Sequence, residues 1–237
     1  MSQAKYKRVL IKVSGEALSG DKGTGFDHDY IDKVVNQIIK ARQLGVQIGI
    51  VVGGGNFWRG RQGQDMERSQ ADHIGMLATV MNALALQDAI ERKGVPTRVQ
   101  TALTITRVAE PYILRKALNH LEKGRVIIFA CGTGNPFFST DTAAALRAAE
   151  IKADVLLLAK NVDGIYDSDP KTNPYAKKYE HLTYSEILNR GLKVIDFTAA
   201  TMCMENNVPT LAFGLNEENS IVRAVCGEQL GTVITAD

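Results

Sequence analysis

Apolar and polar residues alternate along this chain in two registers. Short apolar runs rich in branched side chains occupy residues 9–13, 46–52, 99–103, 126–131, 155–160 and 208–213, and they predict strands. Between them the apolar residues return every three or four positions. Ile31, Val34, Val35, Ile38 and Ile39 share one helical face; Ile74, Leu77, Ala78, Met81 and Ala85 share a second; Leu114, Ala117, Leu118 and Leu121 share a third. A fourth helix is expected over residues 142–150, capped by Thr140 or Asp141. The runs are apolar enough to be buried on both faces, and they alternate with helices. That predicts an α/β fold with a mostly parallel sheet covered on both sides. No composition break, low-complexity segment or repeat divides the chain, so a single domain is expected over residues 1–237.

Composition narrows the class. The 237 residues carry 28 Lys+Arg against 26 Asp+Glu, a formal charge of +2, with 45% hydrophobic and 23% charged residues. This balance suits a globular chain with a large core. It argues against a mainly electrostatic nucleic-acid binder, so any cluster of cations must be local. Cys131, Cys203 and Cys226 are too few and too scattered for a disulfide framework or a zinc site, and Cys131, in an apolar run, reads as a small buried hydrophobe. No apolar run approaches the ~20 residues that span a bilayer, and residues 1–5 lack a signal-peptide core. The expectation is a reducing cytoplasm, with no membrane and no nucleic-acid partner.

Ligands of parallel α/β sheets bind beyond the carboxyl ends of the strands. Four of these ends carry Gly together with a cation, hydroxyl or amide. They are Lys12-Val13-Ser14-Gly15-Glu16, Gly53-Gly54-Gly55-Asn56 with Arg59, the loop from Gly132 to Asp141, and Asn161-Val162-Asp163-Gly164-Ile165-Tyr166 with Asp169. Any one could be a turn; four on one edge point to a ligand. The Gly53 triplet is the sharpest signal, because Gly reaches positive φ and lets a ligand approach the backbone, and successive amides form an anion nest. Arg59 adds a fork that matches phosphate oxygens. Lys12, at a strand end, can neutralise charge on a transferring phosphoryl group. There is no G-x-x-x-x-G-K-[ST]. Gly132-Thr133-Gly134 continues as Asn135-Pro136-Phe137, without the third Gly of a dinucleotide fingerprint. Both absences disfavour a P-loop kinase and a standard dinucleotide dehydrogenase.

These segments resemble the amino-acid kinase superfamily. Within it, the stretch Asp72-His73-Ile74-Gly75-Met76-Leu77-Ala78-Thr79-Val80-Met81-Asn82 and the loop from Gly132 to Asp141 are similar to the bacterial uridylate kinases, and the likeness runs from about Lys7 to Thr235. The resemblance implies a three-layer αβα sandwich whose N-terminal half binds UMP and whose C-terminal half binds ATP. It implies transfer of the ATP γ-phosphoryl group to UMP, giving UDP and ADP, with Mg²⁺, in pyrimidine nucleotide biosynthesis. By the same likeness Lys12, Val13, Ser14 and Gly15 would meet the ATP phosphates, with Gly55 and Arg59 close by. Tyr166 and Asp169 would lie at the ATP nucleoside, with Lys160 or Asn161 as a further contact. Gly54, Asp72 and the loop Thr133, Gly134, Asn135, Pro136, Phe137, Phe138, Ser139 and Thr140 would hold UMP, with Asp72 at the ribose. Lys12, Arg59, Asp141 and Asp196 would form the catalytic set, and Mg²⁺ would be held mainly by nucleotide phosphates. A homohexamer, activation by GTP and inhibition by UTP are implied as well, the GTP-linked segment being Gly20, Asp21, Lys22, Gly23, Thr24 and Gly25.

The chemistry of such a reaction agrees with the residues. A phosphate monoester carries about −1.5 to −2 charge and is already a nucleophile, so the site needs cations and amide dipoles rather than a base. None of His28, His73, His120 and His181 falls in the Gly-rich loops; His73, beside Asp72, reads as structural. Asp141 either orients Lys12 or caps a helix. Asp163, Asp167 and Asp169 lack the ligand pattern of a calcium loop and read as a turn. Leu77, Met81, Leu84 and Leu86 widen the apolar surface of their helix beyond one stripe, which suits either a subunit contact or the core. Two other readings stay open: a superfamily member acting on a carboxylate, carbamate or isoprenoid phosphate, and a non-catalytic nucleotide sensor.

Overall fold

The computed structural model describes residues 3–58, 65–170, 172–192 and 194–236. In chain order the elements are β1 (Arg8–Val13), α1 (Glu16–Ser19), α2 (His28–Gln43), β2 (Gln47–Val52), α3 (Arg68–Glu91), β3 (Thr97–Thr101), β4 (Glu110–Pro111), α4 (Leu114–Glu122) and β5 (Val126–Ala130). They continue with α5 (Thr140–Glu150), β6 (Val155–Lys160), β7 (Ile165–Tyr166), β8 (Lys178–Tyr179), β9 (His181–Thr183), α6 (Tyr184–Arg190), α7 (Phe197–Glu205), β10 (Thr210–Gly214), α8 (Ser220–Val225) and β11 (Thr232–Thr235).

Nine of the described strands form one sheet in the order β4-β3-β5-β2-β1-β6-β10-β11-β9. Its pairings are parallel except that of β10 with β11. Strands β7 and β8 make a separate antiparallel ribbon. From β1 the chain passes to β2, goes out to β3 and β4 at the edge, returns to insert β5 between β2 and β3, and then crosses to β6 on the other side of β1. The strand order therefore reverses between β1 and β6, where such sheets leave a crevice for ligands.

Side chains of β1 show why the sheet is covered twice. Val9, Ile11 and Val13 join a cluster with Ile31 and Val35 of α2, Met76 and Leu86 of α3, and Ile221 of α8. Leu10 joins the opposite cluster with Leu121 of α4, Ala144 of α5, Tyr184 of α6 and Cys203 of α7. Leu10 and Ile11 are fully buried, each worth about 1.5–3 kcal/mol relative to exposure. The period-two alternation of an all-apolar run thus feeds two cores.

Helix starts follow side-chain capping. Asp27 accepts from the amides of Asp29 and Tyr30 at α2, and Thr183 and Glu186 form a reciprocal capping box at α6. At α5 the cap is Ser139, whose Oγ accepts from the amides of Asp141 (2.9 Å) and Thr142 (3.2 Å); this corrects the expectation of Thr140 or Asp141. The strand predicted over residues 126–131 stops at Ala130, because Cys131 turns to a left-handed φ of 65°. The strand predicted over 99–103 is displaced to Thr97–Thr101, where Thr97 and Arg98 align with Val126 and Ile127 of β5.

Candidate active site

Lys12 and Leu10 point to the same side of β1, toward the start of α5. There the Lys12 ammonium lies 3.0 Å from Asp141 Oδ1. Asp141 is in the first turn of α5, where the exposed amides favour negative charge. Lys160 ends β6, the other strand of the crevice, and donates to the Val194 carbonyl. Burial lowers the pKa of Lys160; the Asp141 carboxylate pulls it back up, and the Lys12 charge pushes it down again. Two ammonium groups and one carboxylate thus share the reversal point of the sheet. Lys160 is the member of the Lys160–Asn161 pair turned into this cluster, whereas Asn161 is exposed.

Asp196 stands one step back. It caps α7 by accepting from the Ala199 amide (2.9 Å). It also accepts from Thr142 Oγ1 (3.0 Å) and from the Ser139 hydroxyl. It therefore braces the N-terminus of α5, which presents Asp141. Arg59 lies outside the described residues.

The glycines after β1 and β2 are there for close approach. A β-carbon on Gly15 would lie 2.8 Å from the Gly53 oxygen and 2.8 Å from the Gly55 nitrogen, and one on Gly54 would lie 2.9 Å from the Gly75 oxygen. Gly53 and Gly54 are not among the positive-φ residues, so at these two positions close approach, not a left-handed backbone, is what requires glycine. Two buried side chains fix this cradle. Asn56 and Asn82 exchange amide hydrogen bonds (Nδ2 to Oδ1, 3.0 and 2.7 Å). Each spends its other N–H on a carbonyl, Asn56 on Gly25 (2.8 Å) and Asn82 on Gly53 (2.6 Å). Asn82 closes the stretch that carries the family resemblance, yet the sequence reading assigns it no role; here it braces the cradle.

Beside the cradle opens a cavity of about 530 Å³. Gly54, Gly55, Arg68, Asp72, Gly75 and Thr79 line one wall, and Gly132, Thr133, Asn135, Phe137, Phe138, Ser139 and Thr140 the other. Gly134 and Pro136 belong to the same loop without lining the cavity. The loop turns through four left-handed residues, Cys131, Gly132, Gly134 and Phe137. A β-carbon on Gly134 would lie 3.1 Å from that of Ala102. Phe137 and Phe138 are 66% and 50% exposed, and the Arg68 guanidinium lies over the Phe137 ring, 5.7 Å from its centre. The Asp72 carboxylate receives Arg68 Nε on both oxygens (3.0 and 2.9 Å) and the Phe137 amide on Oδ2 (2.8 Å). His73 is turned back along its own helix, with Nδ1 2.7 Å from the Ser69 oxygen.

On the far side of β6, Tyr166 donates to Asp163 (2.7 Å) and Lys178 pairs with the same carboxylate (2.9 Å). Lys178 is the main reason the Asp163 pKa lies below its ordinary value. Asp169 is exposed in the turn that follows. The segment Gly20 to Gly25 ends on the cradle: the Thr24 hydroxyl and the Gly25 amide both donate to the Asn56 carbonyl (3.0 and 3.1 Å). Val13 is buried, and Ser14 Oγ accepts from the Ala17 amide (3.2 Å). Among the described residues no group of three or more His, Cys, Asp or Glu is placed to hold a metal ion, and no helix is long and apolar enough to cross a membrane.

Known proteins share this fold. Residues 7–213 match the model of the Amino acid kinase family. The structure is similar to the UMP kinase of Bacillus anthracis, with TM-score 0.95, 38% identity, and 98% of this chain and 97% of the other covered. It is similar to the UMP kinase of Ureaplasma parvum, with TM-score 0.92, 39% identity, and 98% and 99% covered. It is also similar to the uridylate kinase of Archaeoglobus fulgidus, with TM-score 0.73, 32% identity, and 95% and 99% covered. The fold thus recurs in relatives of nearly equal length, and the chain belongs to the amino acid kinase family, on its UMP kinase branch.

Proposed function

We propose that this protein transfers the γ-phosphoryl group of ATP to UMP, giving ADP and UDP in pyrimidine nucleotide synthesis. The observation that carries the reading is the Lys12–Asp141 pair at the sheet's reversal point, with the cavity opening on one side of it. UMP fits the cavity: Asp72 offers a carboxylate to ribose hydroxyls, and Phe137 and Phe138 offer rings to the base. ATP belongs on the β6 side, near Lys160, Tyr166 and Asp169, with its phosphates on Ser14, Gly15 and Gly55. The residues offered to UMP then all precede β6, while the ATP nucleoside lies with the part of the chain from β6 onward and its phosphates reach the loops after β1 and β2.

The two substrates are polyanions, and the acceptor phosphate needs no base. The task of the chain is to hold both phosphates in line and offset the charge that spreads over the transferring group. Lys12 does so as a fixed cation, oriented by Asp141. Lys160 adds a second cation from the neighbouring strand. Asp196 holds the N-terminus of α5 in place. Mg²⁺, held mainly by the nucleotide phosphates, would supply further charge neutralisation. The Asp141 carboxylate, at the start of α5, would be the protein oxygen offered to an ion that keeps its waters and phosphate oxygens.

A coupled assay for ADP release, with UMP, CMP, dTMP and GMP as acceptors, tests the reading. Turnover is expected with UMP above all others. Turnover with glutamate, aspartate or carbamate but not UMP would overturn it, as would binding of UMP and ATP without turnover.

Regulation and assembly belong to the same proposal. A homohexamer, activation by GTP through Gly20 to Gly25 and inhibition by UTP fit a chain that ties this segment to the cradle. Leu77 and Met81 of α3 are 51% and 45% exposed, which favours the subunit contact over the core for that face. Light scattering should give a multiple of 25.8 kDa. The three described cysteines are free, in keeping with the cytoplasm.

A further inference from the structure

Helix α3 holds the cavity loop at two points, seven residues and close to two turns apart on one face. At the tip of the loop, Asp72 Oδ2 accepts the Phe137 amide (2.8 Å). At its root, Thr79 Oγ1 accepts the Cys131 amide (2.8 Å) and donates to the Met76 carbonyl (2.6 Å). Thr79 is 5% exposed and lines the cavity. A hydroxyl has one proton, and here it goes to Met76, which leaves a lone pair for Cys131.

The Cys131 amide is where β5 stops and the loop begins. Cys131 carries a side chain yet sits at φ 65°, followed by Gly132 at 56°. This conformation is rarely adopted by an L residue and persists where the surroundings over-determine it. The Thr79 hydroxyl supplies that determination from outside the loop, beside the Gly134 amide that donates to the Cys131 carbonyl (2.9 Å) within it, and the direction of the bend decides where Thr133 to Thr140 lie over the cavity.

We propose that Thr79 is a positioning residue for the nucleotide acceptor: its hydroxyl sets the Cys131–Gly132 bend and thereby the fit of the loop to UMP. The inference rests on the reading of the cavity as the UMP site. Thr79 is outside the set assigned to touch either substrate, and it acts through the backbone of Cys131.

Thr79→Val keeps the shape and removes the hydroxyl, and Thr79→Ser keeps the hydroxyl. The expected result for Thr79→Val is a KM for UMP raised about tenfold, the cost of one hydrogen-bonded buried amide left unpaired, with the KM for ATP within about twofold. Thr79→Ser should stay within about twofold of the wild type for both. An unchanged KM for UMP in Thr79→Val, an equal rise for both substrates, or failure of Thr79→Ser to restore UMP binding would each overturn the proposal. Hydrogen exchange in the wild-type protein is the second measurement, should Thr79→Val not fold. The Cys131 amide is expected to exchange slowly without UMP, and fast exchange there would overturn the proposal too. A wild-type protein that turns over no UMP would instead refute the parent reading, while the exchange result would still report on the Thr79–Cys131 bond.

Discussion

The Lys12 ammonium meets Asp141 Oδ1 at 3.0 Å, joining the end of the central strand to the first turn of α5. Lys12 is thereby held in one direction, and the carboxylate that holds it draws support from the amides of a helix N-terminus. A cation fixed in advance loses little when charge develops on a neighbouring group, which is the condition for electrostatic catalysis.

Lys12→Ala is expected to lower kcat by about 10²–10³-fold or more, the range for removing one preorganised group. The KM for UMP should stay nearly unchanged, since Lys12 is outside the cavity wall. Steady-state kinetics with each substrate varied in turn checks this; a normal kcat would remove Lys12 from the mechanism.

Lys160 gives a pH dependence with a definite sign. Burial lowers its pKa, so as pH rises it loses its charge earlier than an exposed lysine does. The kcat profile should fall on the alkaline side. Lys160→Arg should move that fall to higher pH, because guanidinium stays protonated. Asp141→Asn should move it to lower pH, because the Asp141 carboxylate favours the charged lysine. For stability, the unfolded chain binds more protons between the lowered pKa and 10.5, so this group adds stability as pH rises through that window. Profiles of kcat for the three proteins with coincident alkaline limbs would contradict this account.

Asp72→Ala is expected to raise the KM for UMP about tenfold or more, in proportion to loss of a charged hydrogen-bond acceptor, with a smaller effect on ATP. The variant also frees the Phe137 amide and Arg68. Equal effects on both substrates, measured by initial rates, would contradict a place for Asp72 at the acceptor.

Gly15→Ala introduces a carbon 2.8 Å from both the Gly53 oxygen and the Gly55 nitrogen. Neither neighbour is a flexible side-chain end, so the cradle must shift. Overpacking of this kind costs about 1–3 kcal/mol. Calorimetry should show a lowered Tm together with weaker ATP binding; an unchanged Tm would mean that the two loops are not in contact.

Asp196→Ala removes the cap of α7 and the acceptor for Ser139 and Thr142. Loss of a cap costs about 0.5–2 kcal/mol. Asp196→Asn keeps an acceptor for the Ala199 amide and should cost less, an order that urea denaturation can test.

Five of the six apolar runs were legible because each serves two cores, which leaves no polar alternation to confuse with a helix; the run at 99–103 was misplaced because β3, Thr97–Thr101, gives only Val99 to a core. Strands β4, β9 and β11 were not, since Glu110, His181 and Thr235 break the apolar pattern at the sheet's edges. Lys12 and the Gly-rich loops were found from their place after predicted strands, and Asp72 from the resemblance of the stretch it opens. Asn82 and Thr79 were not, because their partners are the backbone atoms of Gly53 and Cys131, far away in sequence. The Ser139 cap was missed for a simpler reason: Ser139, Thr140 and Asp141 are all good capping residues, and only the path of the loop chooses among them.

Strand β11 lies between β10 and β9. Among the described residues β9 has no other partner in the sheet, although it precedes β11 by about fifty positions in the chain. During synthesis, His181 to Thr183 must therefore wait until Thr232 to Thr235 have emerged. The parallel strands that carry Lys12, the cradle and Lys160 can pair before then. The chemistry-bearing middle of the sheet can form first, and its β10 edge stays open to other chains until β11 seals it.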